Sequence, residues 1–199
     1  MFAVPLGILV IIFLFLSWRW AGLLTGGLLL FVLFFFRDPQ RVIPADPNAI
    51  VSPADGKVVE IVDEKDPFDG QTFKRISIFL SVFNVHINRV PIQGKIEKVR
   101  YNHGKFLAAF NHKASMDNEQ NIIMIKNGRN TVLVKQIAGL IARRIVCWAK
   151  EGDEYQTGQR FGLIRFGSRV DIFVPVDTRL AVKLGDTVQG GSSIIGFLT

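Results

Sequence analysis

Phe161-Gly162-Leu163-Ile164-Arg165-Phe166-Gly167-Ser168-Arg169-Val170-Asp171 reads as a strand, a one-glycine break and the start of a second strand. The continuation, Val170-Asp171-Ile172-Phe173-Val174-Pro175-Val176, alternates strictly, as β-strands do. Gly167 puts a residue without a Cβ directly before Ser168, and glycine lets another group approach its carbonyl closely. The pair has two readings. One is a Gly-Ser turn or bulge between strands. The other is a serine whose hydroxyl attacks the carbonyl of its own predecessor.

Working outward, the flanking sequence is of the same β character. Ile76, Ile78, Leu80 and Val82 share one face of a strand that runs into Phe83-Asn84-Val85-His86-Ile87-Asn88-Arg89-Val90-Pro91. His86, between two β-branched residues, reads as a sheet histidine or as a catalyst. Val51-Ser52-Pro53-Ala54-Asp55-Gly56-Lys57-Val58-Val59 is a tight turn leading into a strand, with Asp55 a turn aspartate or a working carboxylate. Residues 92–101 form another turn and strand. Asn127-Gly128 joins two apolar runs as a hairpin, because Asn-Gly suits the positive φ angles of tight hairpin turns. Ile141, Ile145 and Trp148 fall at helical spacing, so a short helix around 140–149 competes with a strand. His103 and His112 lie in polar, turn-rich sequence and read as surface residues. Arg143-Arg144 is a solvated face or a holder of an anionic head group. Short strands with glycine turns continue to the end, in a pattern like that of biotinyl and lipoyl carrier domains without their modified lysine. Residues 51–199 are thus expected to be mainly β, a barrel or sandwich with one or two short helices.

The first 36 residues are unlike the rest: Arg19 is their only charge. Apolar runs 1–17 and 20–36 flank Ser17-Trp18-Arg19-Trp20, and each is near the short end of the roughly 17–25 residues that span a bilayer as a helix. The expectation is a transmembrane helical hairpin with Arg19 at one surface and Arg37 and Arg41 at the other, and the larger domain facing the cytoplasm. A signal peptide fits less well, lacking a positively charged start and a small-residue cleavage site; an interfacial or re-entrant segment is the other rival. Pro39, Pro44 and Pro47 make residues 37–50 an extended connector. The net charge of +7 lies after the apolar region and suits an anionic bilayer surface. No nucleic-acid motif is present, so no nucleic-acid partner is expected. Cys147 is the only cysteine, which excludes an intramolecular disulfide and a thiolate zinc cluster. No His/Glu metal motif, phosphate-binding glycine loop or dinucleotide fingerprint occurs, and no metal is expected.

Several stretches taken together resemble phosphatidylserine decarboxylase, in particular its short branch found in archaea and many bacteria. They are Phe36-Arg37-Asp38-Pro39, Pro53-Ala54-Asp55-Gly56, Phe79-Leu80-Ser81 through Asn84-Val85-His86-Ile87-Asn88-Arg89-Val90-Pro91, Tyr101 with Gly104-Lys105-Phe106, Ala114-Ser115 with Asn118-Glu119, Gln136-Ile137-Ala138-Gly139 with Ala142-Arg143-Arg144-Ile145-Val146, and Phe166-Gly167-Ser168. They come in the family's order from about residue 34 onward.

The resemblance implies a proenzyme that breaks itself at Gly167-Ser168 into fragments 1–167 and 168–199, which stay associated. Ser168 becomes a pyruvoyl group, the covalent cofactor, whose ketone forms a Schiff base with the serine head group of a membrane phospholipid. Carbon dioxide is then lost, and phosphatidylethanolamine is released. Diacyl and archaeal ether lipids both fit, since the motifs concern the head group. His86 as base and Asp55 as its carboxylate partner are the candidates by motif position and chemistry. In the longer branch a second histidine follows three positions on; here that residue is Arg89. Arg89, Arg143 and Arg144 are the candidate holders of phosphate or carboxylate. The family further implies a homodimer or larger assembly at the cell membrane. Two rival classes remain: a membrane-anchored, non-catalytic β carrier or adaptor, and a membrane serine hydrolase with an intact backbone.

Overall fold

A computed structural model describes residues 2–104, 118–139, 144–165 and 168–199. The chain divides into two compact units, Met1–Pro39 and Gln40–Thr199.

In the first unit, α1 (Ala3–Phe15) and α2 (Arg19–Phe35) occupy the two apolar runs. Ser17 takes a left-handed φ of 57°, and the Trp18 amide donates back to the Phe13 carbonyl at 2.9 Å. The helices touch at Gly22, where an added Cβ would meet the Leu14 side chain at 3.6 Å. At the helical rise per residue, α1 is about 20 Å long and α2 about 26 Å, against a hydrocarbon core of about 30 Å. No described helix is long and apolar enough to cross a membrane. The helices fill the two runs without reaching the length of the spans expected from them, because the turn at 16–18 consumes residues that a span would use.

The second unit is built from antiparallel strands. The eight-stranded sheet runs β13 (Thr187–Val188), β2 (Gly56–Lys65), β3 (Thr72–Leu80), β11 (Ser168–Pro175), β7 (Asn130–Ala138), β6 (Gln120–Asn127), β5 (Gly94–Asn102), β9 (Glu154–Tyr155). A three-stranded sheet of β4 (Ile87–Arg89), β10 (Arg160–Ile164) and β8 (Ile145–Cys147) packs with it. A second three-stranded sheet joins β1 (Ala49–Val51), β14 (Ile194–Phe197) and β12 (Arg179–Leu180). The mainly β expectation holds. Among the described residues this unit contains no helix; residues 145–147 take the strand alternative, and 140–143 lie outside the described residues.

The period of two in β11 sends Val170, Ile172 and Val174 to one face, where they join Ile76, Ile78, Leu80, Val132, Val134 and Ile164 in the main core. Phe173 goes to the other face, into a smaller cluster with Phe73, Ile122, Met124 and Leu133. β11 is therefore buried on both faces. Its outward polar residues, Arg169 and Asp171, are buried as well, and they neutralise each other at 2.9 Å.

Three connections between the eight-stranded sheet and the β4-β10-β8 sheet lie at one end. β3 leads to β4 through residues 81–86, β7 to β8 through 139–144, and β10 to β11 through 165–167. Ser168 sits opposite Leu80 on one side and Ala138 on the other. In the facing sheet Ile164 sits opposite Ile145, and its amide donates to the His86 carbonyl at 3.3 Å. The Arg165 amide donates to Arg144 at 3.3 Å. One row down, Gln136 in the large sheet bonds Asn88 in the small one at 2.8 Å, which fixes the alignment of the two sheets. Along the chain, Gln136 lies two residues from Ala138 and Asn88 two residues from His86.

Candidate active site

Ser168 is the first residue of β11 and fully buried; its hydroxyl has no hydrogen-bond partner among the described residues. A buried hydroxyl is normally satisfied, so one that is not calls for an explanation. Gly167 lies outside the described residues.

His86 ends the 81–86 connection and is 3% exposed. That connection is tied by Asn84, whose side-chain oxygen accepts from the Ser81 amide and hydroxyl, both at 2.8 Å. The Asn84 carbonyl lies 2.9 Å from His86 Nδ1. A carbonyl only accepts, so Nδ1 carries the proton and Nε2 is left as the basic nitrogen. The backbone of the histidine's own turn thus fixes this tautomer.

Asp55 is 9% exposed. Arg41 Nη2 donates to both of its oxygens, at 2.9 and 2.8 Å, and the Gly190 amide donates to Oδ1 at 2.8 Å. The turn that carries Asp55 is stitched to β4: the Arg89 amide donates to the Pro53 carbonyl at 2.9 Å, three residues from His86. Gly56 after it is obligatory, because a Cβ there would collide with the Phe79 carbonyl of β3.

Of the arginines, Arg89 is buried and its Nη1 donates to the Gly158 carbonyl at 3.0 Å. Arg144 is exposed beside Arg165, and Arg143 lies outside the described residues, as does His112. His103 is exposed and stands edge-on to Tyr101, with 4.8 Å between ring centres. Among the described residues no group of three His, Cys, Asp or Glu side chains is placed to hold a metal ion.

Two residues quoted in the motif match, but given no role from sequence, frame the serine's neighbour. Asn118 Nδ2 donates to the Ala138 carbonyl at 2.7 Å, and the Ala138 amide donates to the Glu119 carbonyl at 3.0 Å. The Glu119 carboxylate accepts from the Tyr101 hydroxyl at 2.6 Å and from the Ile145 amide at 3.2 Å. Packing around the phenol and its bond to a carboxylate push Tyr101 up to about 12. Below the serine's row, Asn121 Nδ2 donates to Gln136 Oε1 at 3.0 Å, extending the Gln136–Asn88 contact into a buried chain of amides. The spacing of Asn88 from His86, two along one strand, was the only sequence signal for it.

Residues 28–196 match the phosphatidylserine decarboxylase family model. A protein of Chlorobium phaeobacteroides named phosphatidylserine decarboxylase proenzyme is 50% identical over 172 residues, covering 86% of this chain and 81% of the relative. A Desulfotalea psychrophila protein of the same name is 51% identical over 169 residues, covering 83% and 78%. A third of that name, from Geotalea uraniireducens, is 46% identical over 193 residues, covering 96% and 91%. With likeness of this extent, the chain belongs to the phosphatidylserine decarboxylase family.

Proposed function

We infer that this chain is a self-cleaving proenzyme whose mature form is a carboxy-lyase, converting phosphatidylserine to phosphatidylethanolamine and carbon dioxide. The observation that carries the reading is the fully buried Ser168 hydroxyl, which has no partner among the described residues. A non-catalytic β module has no use for that unsatisfied group.

In the first step His86 Nε2 takes the Ser168 hydroxyl proton and the oxygen adds to the Gly167 carbonyl carbon. The C–N bond breaks and the proton passes to the amine, so the peptide becomes an ester. Removal of the α-hydrogen of residue 168 then expels the Gly167 carboxylate. The dehydroalanine left behind tautomerises, and water releases ammonia to give a pyruvoyl group.

The site fits that group. It is no bulkier than the serine it replaces, Ala138 beside it is small, and the buried hydroxyl it consumes has nothing else to satisfy. Once formed, the ketone supplies the electron sink that takes up the pair left behind when carbon dioxide departs. The chain's own part is to hold and shield it. β3 and β7 fix position 168 from both sides and the core below excludes water; in this reading His86 Nε2 returns the proton.

Two further parts of the reading follow. The small fragment contributes β11 to β14, of which β11, β13 and β14 pair with strands of the large fragment, which supports continued association after cleavage. The exposed apolar side chains of α1 and α2, among them Phe15 at 89% and Trp20 at 85%, support seating of these helices in the lipid interface of the cell membrane. The catalytic unit is placed on the cytoplasmic side, where the positive balance after residue 36 belongs.

The test is intact-mass measurement of the purified protein beside its Ser168→Ala variant. Two fragments, the smaller with a blocked N-terminus lacking serine, are expected from the parent and one chain from the variant. A parent protein that stays in one piece refutes the reading.

A further inference from the structure

Asp55 is nearly buried, and a carboxylate taken out of water must be paired. Its partner comes from an unexpected place: the connector that follows the apolar unit. Arg41 and Asp55 have side chains 9% and 12% exposed and meet at 2.8 Å. The other arm of the guanidinium, Nη1, donates to Gln189 Oε1 at 3.1 Å, and the adjoining Gly190 amide binds Asp55 Oδ1. Three segments therefore converge on one carboxylate: the connector, the 53–56 turn and the 189–191 turn. If the chain breaks before Ser168, Arg41 and Asp55 belong to one fragment and Gln189 and Gly190 to the other.

The donor count sets what the carboxylate can still do. Oδ1 accepts from Arg41 Nη2 and from Gly190, while Oδ2 accepts from Arg41 alone. An ionised carboxylate oxygen has room for about two donors. Oδ1 is filled, and Oδ2 keeps one acceptor direction, held fixed because both neighbours of the carboxylate are themselves fixed. The connector is no loose tether here. Ile43 packs on Gly158, where a Cβ would collide with it, and Asp46 caps the Asn48 amide at 2.9 Å.

We propose that Arg41 is a positioning residue for self-cleavage, acting through Asp55: it fixes the orientation of the carboxylate and leaves one acceptor direction on Oδ2. The proposal rests on the reading of Asp55 as a working carboxylate. Lysine cannot replace it fully, because one ammonium reaches Asp55 or Gln189 but does not present a planar fork to both.

The experiment follows fragment formation over time, by intact mass, in full-length Arg41→Gln, Arg41→Lys and Asp55→Asn proteins, with melting temperatures measured alongside. General-base help is worth roughly 10²–10⁴ in rate, and a positioning partner commands a share of it. Arg41→Gln is expected to cleave at least about tenfold more slowly while still unfolding cooperatively. Arg41→Lys is expected to recover part of the rate at the melting temperature of Arg41→Gln; a merely structural role would move cleavage and melting together. Equal rates for Arg41→Lys and Arg41→Gln, or a folded Arg41→Gln that matches the parent while Asp55→Asn is slow, overturn the positioning role. If Arg41→Gln does not fold, Arg41→Lys at the parent's rate overturns it. Parental cleavage in Asp55→Asn instead removes the reading on which the proposal stands.

Discussion

Asp171→Ala, made in the uncleavable Ser168→Ala protein so that a single chain unfolds, tests how β11 is held. Asp171 is fully buried. It meets Arg169 Nε at 2.9 Å and Nη2 at 3.0 Å, and Arg75 Nη1 at 3.7 Å. Arg75 keeps two other carboxylates, Glu60 at 2.9 Å and Glu64 at 2.6 Å. Arg169, only 3% exposed, would face no carboxylate among the described residues. Lys135 stands opposite Asp171 on β7; burial already pushes its ammonium down, and Asp171 is the first charge that offsets this. Removing one partner of a buried pair costs about 3–5 kcal/mol, because the other charge stays behind uncompensated. With a urea slope of about 2 kcal/mol per molar, the midpoint should fall by about 1.5–2.5 M. A loss below about 1 kcal/mol, the level of an exposed pair, would refute the claim that this network holds the strand.

The two tyrosines should ionise late. Tyr101 is pushed up to about 12 and Tyr155 is raised by burial. For Tyr101 the folded state therefore holds its proton longer than the unfolded chain. Its stabilising contribution is complete below pH 10 and is lost as pH rises toward about 12. Ultraviolet titration of the folded protein should show a step near 12 that disappears in Tyr101→Phe; a normal tyrosinate step near 10 would contradict the Glu119 contact. A protein lacking residues 1–36 keeps Arg41 and the whole second unit, so it should still cleave itself, while its rate on bilayer substrate should fall well below its rate on detergent-dispersed lipid. An uncleaved truncation, or equal rates on both substrates, would count against the division of labour proposed for the two units.

Much of the fold was legible because it is written in local patterns. The alternation in β11, the Asn127-Gly128 hairpin and the apolar face of 76–80 each report the strand they sit in, whereas Val82, expected on that face, falls in the turn after Leu80. Ser168 and His86 were legible as motif residues, but their burial was not, since that follows from how the sheets are joined. The partners of Asp55 are 14 and 135 residues away, and no pattern in the 53–56 turn announces them. The alternation of β11 also misled in one respect. Arg169 and Asp171 fall on the face away from the main core, yet both are buried because opposite charges two residues apart satisfy each other. The helices show the converse: hydropathy located both, and the left-handed Ser17 marks the turn between them.

β11 lies inside its sheet, not at a rim. It is bonded across eight positions to β3 and six to β7, starting from its very first residue. A cut in front of Ser168 therefore leaves the shorter piece captive: its new terminus is threaded between two ladders, and neither can open without tearing the sheet through the middle. Scission of this kind changes the chemistry of one atom group while the architecture stays locked, so exchange of short pieces between molecules should require wholesale unfolding.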